Sequence, residues 1–200
     1  MNTEQQKTIL SQHSGGRVPP EVVKLLLISE APPLPSENYF YRCEPGAGSH
    51  GNHRSFFRGL MQGIGLLPVG VRRYSEEVLL KRFIEAGYWL IDACPTPLVD
   101  TQGRQLPSQK KRQILTNYVE PLAEAIEQLS PDAIILLCST TEQLAAKLEK
   151  RVGQDRLPVR RPLPYPGNGW LRRPKTKDGF IDLFPAAYRL AALYQSGRLN

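Results

Sequence analysis

An α/β fold is predicted: a three-layer α/β/α sandwich around a central, mainly parallel sheet of about four strands. Three observations carry the prediction. Short apolar runs alternate with amphipathic helical segments along the chain. Each run stops at Ser, Asp, Pro or Gly, as a strand does when it leaves a sheet for a loop. The 200 residues, 40% of them hydrophobic, suffice for one core. Residues 1–18 read as an N-terminal arm or helix, and residues 19–200 as a single α/β domain.

The first strand is Val22–Ile28, a leucine-rich run closed by Ser-Glu-Ala-Pro-Pro, which a helix would not tolerate. Phe56, Phe57, Leu60, Met61 and Ile64 then recur at helical spacing up to Gly65. Ser75-Glu76-Glu77 reads as an N-cap with an acidic first turn, and Gly87 as the residue that ends that helix. Tyr88–Ile91 is the second strand, leading through Asp92 into Cys94-Pro95-Thr96-Pro97. Ser108 is placed to cap a long helix, which Pro121 should kink or restart. Ala133–Leu137 is the third strand, and Ser139-Thr140-Thr141-Glu142 after it matches a capping box. A fourth strand is expected over Leu157–Leu163 and a closing helix over Pro185–Tyr194.

Several function classes are disfavoured. The longest apolar runs, Leu25–Ile28 and Ala133–Cys138, fall far short of the ~20 residues that span a bilayer. The polar N-terminus has no secretory core, so a cytoplasmic protein without membrane contact is expected. Cys43, Cys94 and Cys138 lack paired spacing and predict no disulfide framework. Cys43, His50 and His53 lack a fourth ligand, and neither a GxxxxGK[ST] nor a GxGxxG loop follows a strand. Neither a metal nor a cofactor is predicted.

The charge points to a polyanion. The chain carries +7, and the segment Arg151–Lys177, with eight basic side chains against Asp155, accounts for all of it. Arg160, Arg161, Arg172, Arg173, Lys175 and Lys177 bracket the loop Pro164–Gly169 and are the candidate phosphate contacts. DNA, single- or double-stranded, is the expected partner. The bland alternative is a solvated basic face.

In a parallel sheet, ligands meet the carboxyl ends of the strands. Here those ends are Ser29–Pro33, Asp92–Pro97, Cys138–Thr140 and Pro164–Gly169. Glu30 and Asp92 stand at neighbouring strand ends, where two carboxyls can divide acid and base roles. Tyr39-Phe40-Tyr41 supplies three aromatic faces for base stacking, with core packing as the alternative. Gly167 and Gly169 permit close backbone approach to a ligand, and Asn168 between them offers a donor and an acceptor.

Ser29-Glu30-Ala31-Pro32-Pro33 after a strand resembles the first motif of the uracil-DNA glycosylase superfamily. Gly46-Ala47-Gly48, Gly63-Ile64-Gly65, the run Trp89–Pro97, the strand after Pro131-Asp132 and the Pro164–Gly169 loop are similar to later stretches of that family, in order. The departures are specific. Asp92 stands where the family has a base-reading Asn, and no His follows His53 to stabilise the departing base. The family's stacking Phe falls on Cys43 by strict spacing, and the four cluster-binding cysteines of some members have no counterpart.

The resemblance implies a DNA-binding protein of that fold, with base excision from a flipped nucleotide as its chemistry. Glu30 would orient water and counter charge on the sugar, and Asp92 as a carboxylate would accept from an N–H or amino group of the base. Asn168 with the Gly167 and Gly169 N–H groups would donate to the leaving base. Pro32, Tyr39, Phe40 and Tyr41 would line the base pocket. Two alternatives stay open: a catalytically inactive nucleic-acid-binding module of the same fold, and a hydrolase of small nucleotide-like substrates.

Overall fold

The computed structural model describes residues 18–34, 36, 39–41, 52–68, 71 and 73–153. The arm 1–17, Cys43, His50, the 46–48 stretch, the expected strand 157–163, the 164–169 loop with Gly167, Asn168 and Gly169, the closing helix and the basic residues from Arg156 onward lie outside them.

The fold is mixed α/β. Strands β1 (Leu25–Ser29), β2 (Tyr88–Asp92) and β3 (Ala133–Leu136) form a parallel sheet in the order β2-β1-β3. Every residue of the three strands is buried. Successive strand side chains point to opposite faces, so both faces of the sheet are covered. This explains why the strands read as unbroken apolar runs.

The first strand begins three residues later than the sequence predicts. Val22 is exposed, and the Lys24 N–H still bonds the Gly87 carbonyl at 2.8 Å, at the turn before β2. Gly87 has φ +79°, and a Cβ there would meet the Val22 carbonyl and the Lys24 stem at 3.0 Å. Glycine fits both demands.

Five α-helices are described: α1 (Asn52–Gly63), α2 (Glu76–Glu85), α3 (Ser108–Thr116), α4 (Val119–Leu129) and α5 (Ala145–Val152). Phe56, Phe57, Leu60 and Met61 of α1 enter the core, and Gly65 at φ +78° follows its end. The Ser75 hydroxyl accepts from the Val78 N–H at 3.3 Å, as a cap should. Ser108 is the first helical residue and makes no side-chain cap. The long helix breaks at Asn117-Tyr118, so Pro121 falls in the first turn of α4, where its missing N–H costs nothing.

The capping box does not form. Ser139–Leu144 is a 3-10 helix with no side-chain cap, and α5 starts only at Ala145. The Thr141 hydroxyl bonds back to the carbonyls of Leu137 and Cys138 at 3.0 and 2.9 Å, and Thr140 turns to a different partner. Helix α4 packs on α5, α3 on the 3-10 helix, and α2 on β2.

An aromatic cluster locks β2. Phe40 packs edge-on against Tyr41, Phe56 and Phe83, with centroids 4.9 to 5.9 Å apart. Tyr41 lies on Trp89 at 4.8 Å, and its hydroxyl accepts from the Leu90 N–H at 2.7 Å and donates to the Leu90 carbonyl at 2.9 Å. The phenol thereby satisfies both backbone groups of Leu90, in the middle of β2. Three strands are present among the described residues, so the fourth is neither seen nor contradicted. No described helix is long and apolar enough to cross a membrane.

Candidate functional site

Parallel pairing brings the strand ends together. Ser29 aligns with Asp92 and Ile28 with Leu136. Backbone bonds carry the pairing past the strands: Ala93 N–H to Ser29 carbonyl at 2.9 Å, Cys94 N–H to Glu30 carbonyl at 3.1 Å, and Leu137 N–H to Ile28 carbonyl at 2.8 Å. Glu30, Asp92 and Cys138 therefore share one edge of the sheet.

Glu30 sits at the carboxyl end of the central strand with its side chain 18% exposed. Its Oε1 accepts from the Lys111 ammonium at 2.5 Å, and its Oε2 from the Thr140 hydroxyl. Lys111 in turn donates to Gln105 Oε1 at 2.7 Å. Gln105 pairs with Val99 across a small antiparallel bridge. Asp100 holds the intervening turn, accepting from the Gln102 and Arg104 N–H groups at 2.8 and 2.9 Å. A carboxylate has roughly four lone-pair sites, so two donors leave each Glu30 oxygen able to accept once more. Paired with a cation and still able to accept, Glu30 is suited to orienting a water molecule or facing a developing positive charge.

Asp92 is in a different environment. It is 2% exposed, and its Oδ1 accepts from the Ser29 hydroxyl. Burial pushes its pKa up to about 7, while hydrogen bonds from Ser29 and Tyr39 pull the other way. Near neutrality it is a carboxyl that exists in both forms. The two carboxyls thus have distinct roles available to them.

Cys138 follows β3 at the same sheet edge, with φ +75°, in the positive region uncommon outside glycine. Burial pushes its thiol pKa up, and the neighbouring Glu30 charge adds to the effect. Both effects favour the thiol over the thiolate, the form that acts as a nucleophile. Cys94 is also buried, donating to the Thr96 carbonyl at 3.3 Å, and its proximity raises the Tyr118 pKa. Among the described residues, no group of three or more His, Cys, Asp and Glu is arranged to hold a metal.

Of the predicted base-binding residues, Pro32 and Tyr39 are half-buried, and Tyr39 reaches Asp92. Phe40 and Tyr41 are 3% and 1% exposed, with their rings in the core cluster described above. Gly167, Asn168, Gly169, Arg160, Arg161, Arg172, Arg173, Lys175 and Lys177 are outside the described residues. Arg151, at the start of the basic segment, is paired with Glu120 and Glu127 of α4 at 3.4 and 3.7 Å.

Sequence reasoning missed Lys111, Thr140 and Gln105. A signal existed for Lys111: it precedes Ile114 by three residues and Leu115 by four, which places it on the packed face of α3. Thr140 lay in a strand-end loop but was read as part of a cap. Nothing pointed to Gln105. The chain matches no protein-family model and no curated protein.

Proposed function

We propose that this chain is a DNA-binding protein that hydrolyses the N-glycosidic bond of a flipped, damaged or deaminated base. In this reading the three strands belong to a four-stranded, uracil-DNA glycosylase-like sandwich.

The observation that carries the reading is Glu30 itself: a carboxylate paired with the Lys111 ammonium at the carboxyl end of the central strand. Water attacks C1′ of the sugar, the C1′–N bond breaks, and its electron pair leaves with the base. Glu30 accepts a hydrogen bond from the attacking water and opposes the positive charge that grows on the sugar. The N–H groups of Gly167 and Gly169, with Asn168, donate to the departing base. Pro32 and Tyr39 flank the base. Asp92, titrating near pH 7, donates to a base carbonyl when protonated and accepts from an N–H or amino group when ionised.

The test is a panel of single- and double-stranded oligonucleotides carrying uracil, hypoxanthine, xanthine or an alkylated base, assayed for abasic sites. Excision from at least one lesion is expected. Tight binding with no excision on any substrate would instead favour the binding module, a reading to which the Lys111–Glu30 ion pair also lends itself.

A further inference from the structure

We infer that Lys111 and Thr140 are positioning residues for Glu30, a role that rests on the reading of Glu30 as the group facing water and sugar. Two donors reach two different oxygens of one carboxylate from two different elements, Lys111 from α3 and Thr140 from the 3-10 helix. One donor would leave the carboxyl free to swing about it. Two fix its plane, and so fix the direction in which its remaining lone pairs accept.

Lys111 is not a phosphate grip. Its side chain is 14% exposed, and its ammonium already has two acceptors, Glu30 Oε1 at 2.5 Å and Gln105 Oε1 at 2.7 Å. A lysine that contacts a DNA phosphate adds to the salt dependence of binding, whereas one consumed within the protein does not. Thr140 is likewise committed, being 5% exposed with its hydroxyl on Glu30. Both side chains therefore act through Glu30, on the chemical step and not on DNA affinity.

The experiment combines single-turnover excision with a stability cycle, on the full chain. Lys111→Met and Thr140→Val should each lower the excision rate by about ten- to a hundredfold, the scale of a misplaced catalytic group. Affinity for DNA and its salt slope should stay within about twofold of wild type, and Thr140→Ser should restore the rate. On a Glu30→Gln background, Lys111→Met should cost almost nothing further, because residues acting as one unit are not additive.

A loss that multiplies on that background, or a flatter salt slope in Lys111→Met, would overturn the inference. The urea midpoints of Glu30→Gln, Lys111→Met and the double variant give a readout that needs no activity. Breaking one partner strands the other, so the double variant should be more stable than the two single losses sum to. Additive losses would overturn the clamp even in an active enzyme. Coupled losses in a protein that excises nothing would leave the clamp standing and overturn the function proposed above.

Discussion

Asp92 shows how much one side chain's surroundings change its chemistry. A carboxyl at the end of an apolar strand is legible in the sequence, because strand ends gather at one sheet edge. Its protonation is not, because that depends on how completely the fold buries it, against the opposing hydrogen bonds of Ser29 and Tyr39. The same burial makes stability depend on pH. The ordinary value of 3.8 applies to the unfolded chain and about 7 to the folded one. Between them the folded protein holds a proton that the unfolded chain has released. This group's contribution is therefore full below about pH 4 and is lost as pH rises through about 7, for at most ~4 kcal/mol. Asp92→Asn removes the titration and should gain on wild type from pH 4.5 to about pH 7, then level off up to pH 8. Urea midpoints across that range check it, and parallel curves would refute the assignment.

At the scale of elements, apolar periodicity located the strands and helices well, since both-face burial writes itself as unbroken runs. It did less well at their ends. The capping-box pattern at Ser139–Glu142 gave way to a 3-10 turn, because Thr140 is engaged by Glu30, 110 positions earlier in the chain. Lys111 meets Glu30 from 81 positions away, a distance over which spacing is silent. The Tyr39-Phe40-Tyr41 run has a comparable explanation. Tyr41 closes the edge of β2 by bonding both Leu90 backbone groups, a task invisible in a list of aromatics. Tyr41→Phe keeps the ring and strands a buried N–H and C=O. It should cost ~1–3 kcal/mol by urea denaturation, and an unchanged midpoint would show that the edge is satisfied otherwise.

Across the whole molecule, charge and architecture divide the chain. The described body holds the sheet, the helices and the Glu30 site, while the excess charge lies almost wholly in the segment after it. Arg151 is engaged by Glu120 and Glu127, so the proposed polyanion contact is assigned to the residues from Arg156 onward. If four to six of them touch phosphate, log K against log salt should fall with a slope of roughly −3 to −5. Arg172→Ala with Arg173→Ala should flatten that slope by up to about two and weaken all sequences alike. Filter binding between low and moderate salt measures it, and an unchanged slope would mark the segment as a solvated face.

If Glu30 drives the proposed scission of a glycosidic bond, its charge must matter to the chemical step, and one comparison measures that. Wild type and Glu30→Gln are assayed under single-turnover conditions on whichever lesion the wild type excises, with DNA affinity measured in parallel. Glutamine keeps the size and one acceptor oxygen but loses the charge that opposes the sugar cation. The excision rate of Glu30→Gln should fall by about a hundredfold or more with affinity nearly unchanged. An excision rate equal to that of the wild type would contradict that role for Glu30.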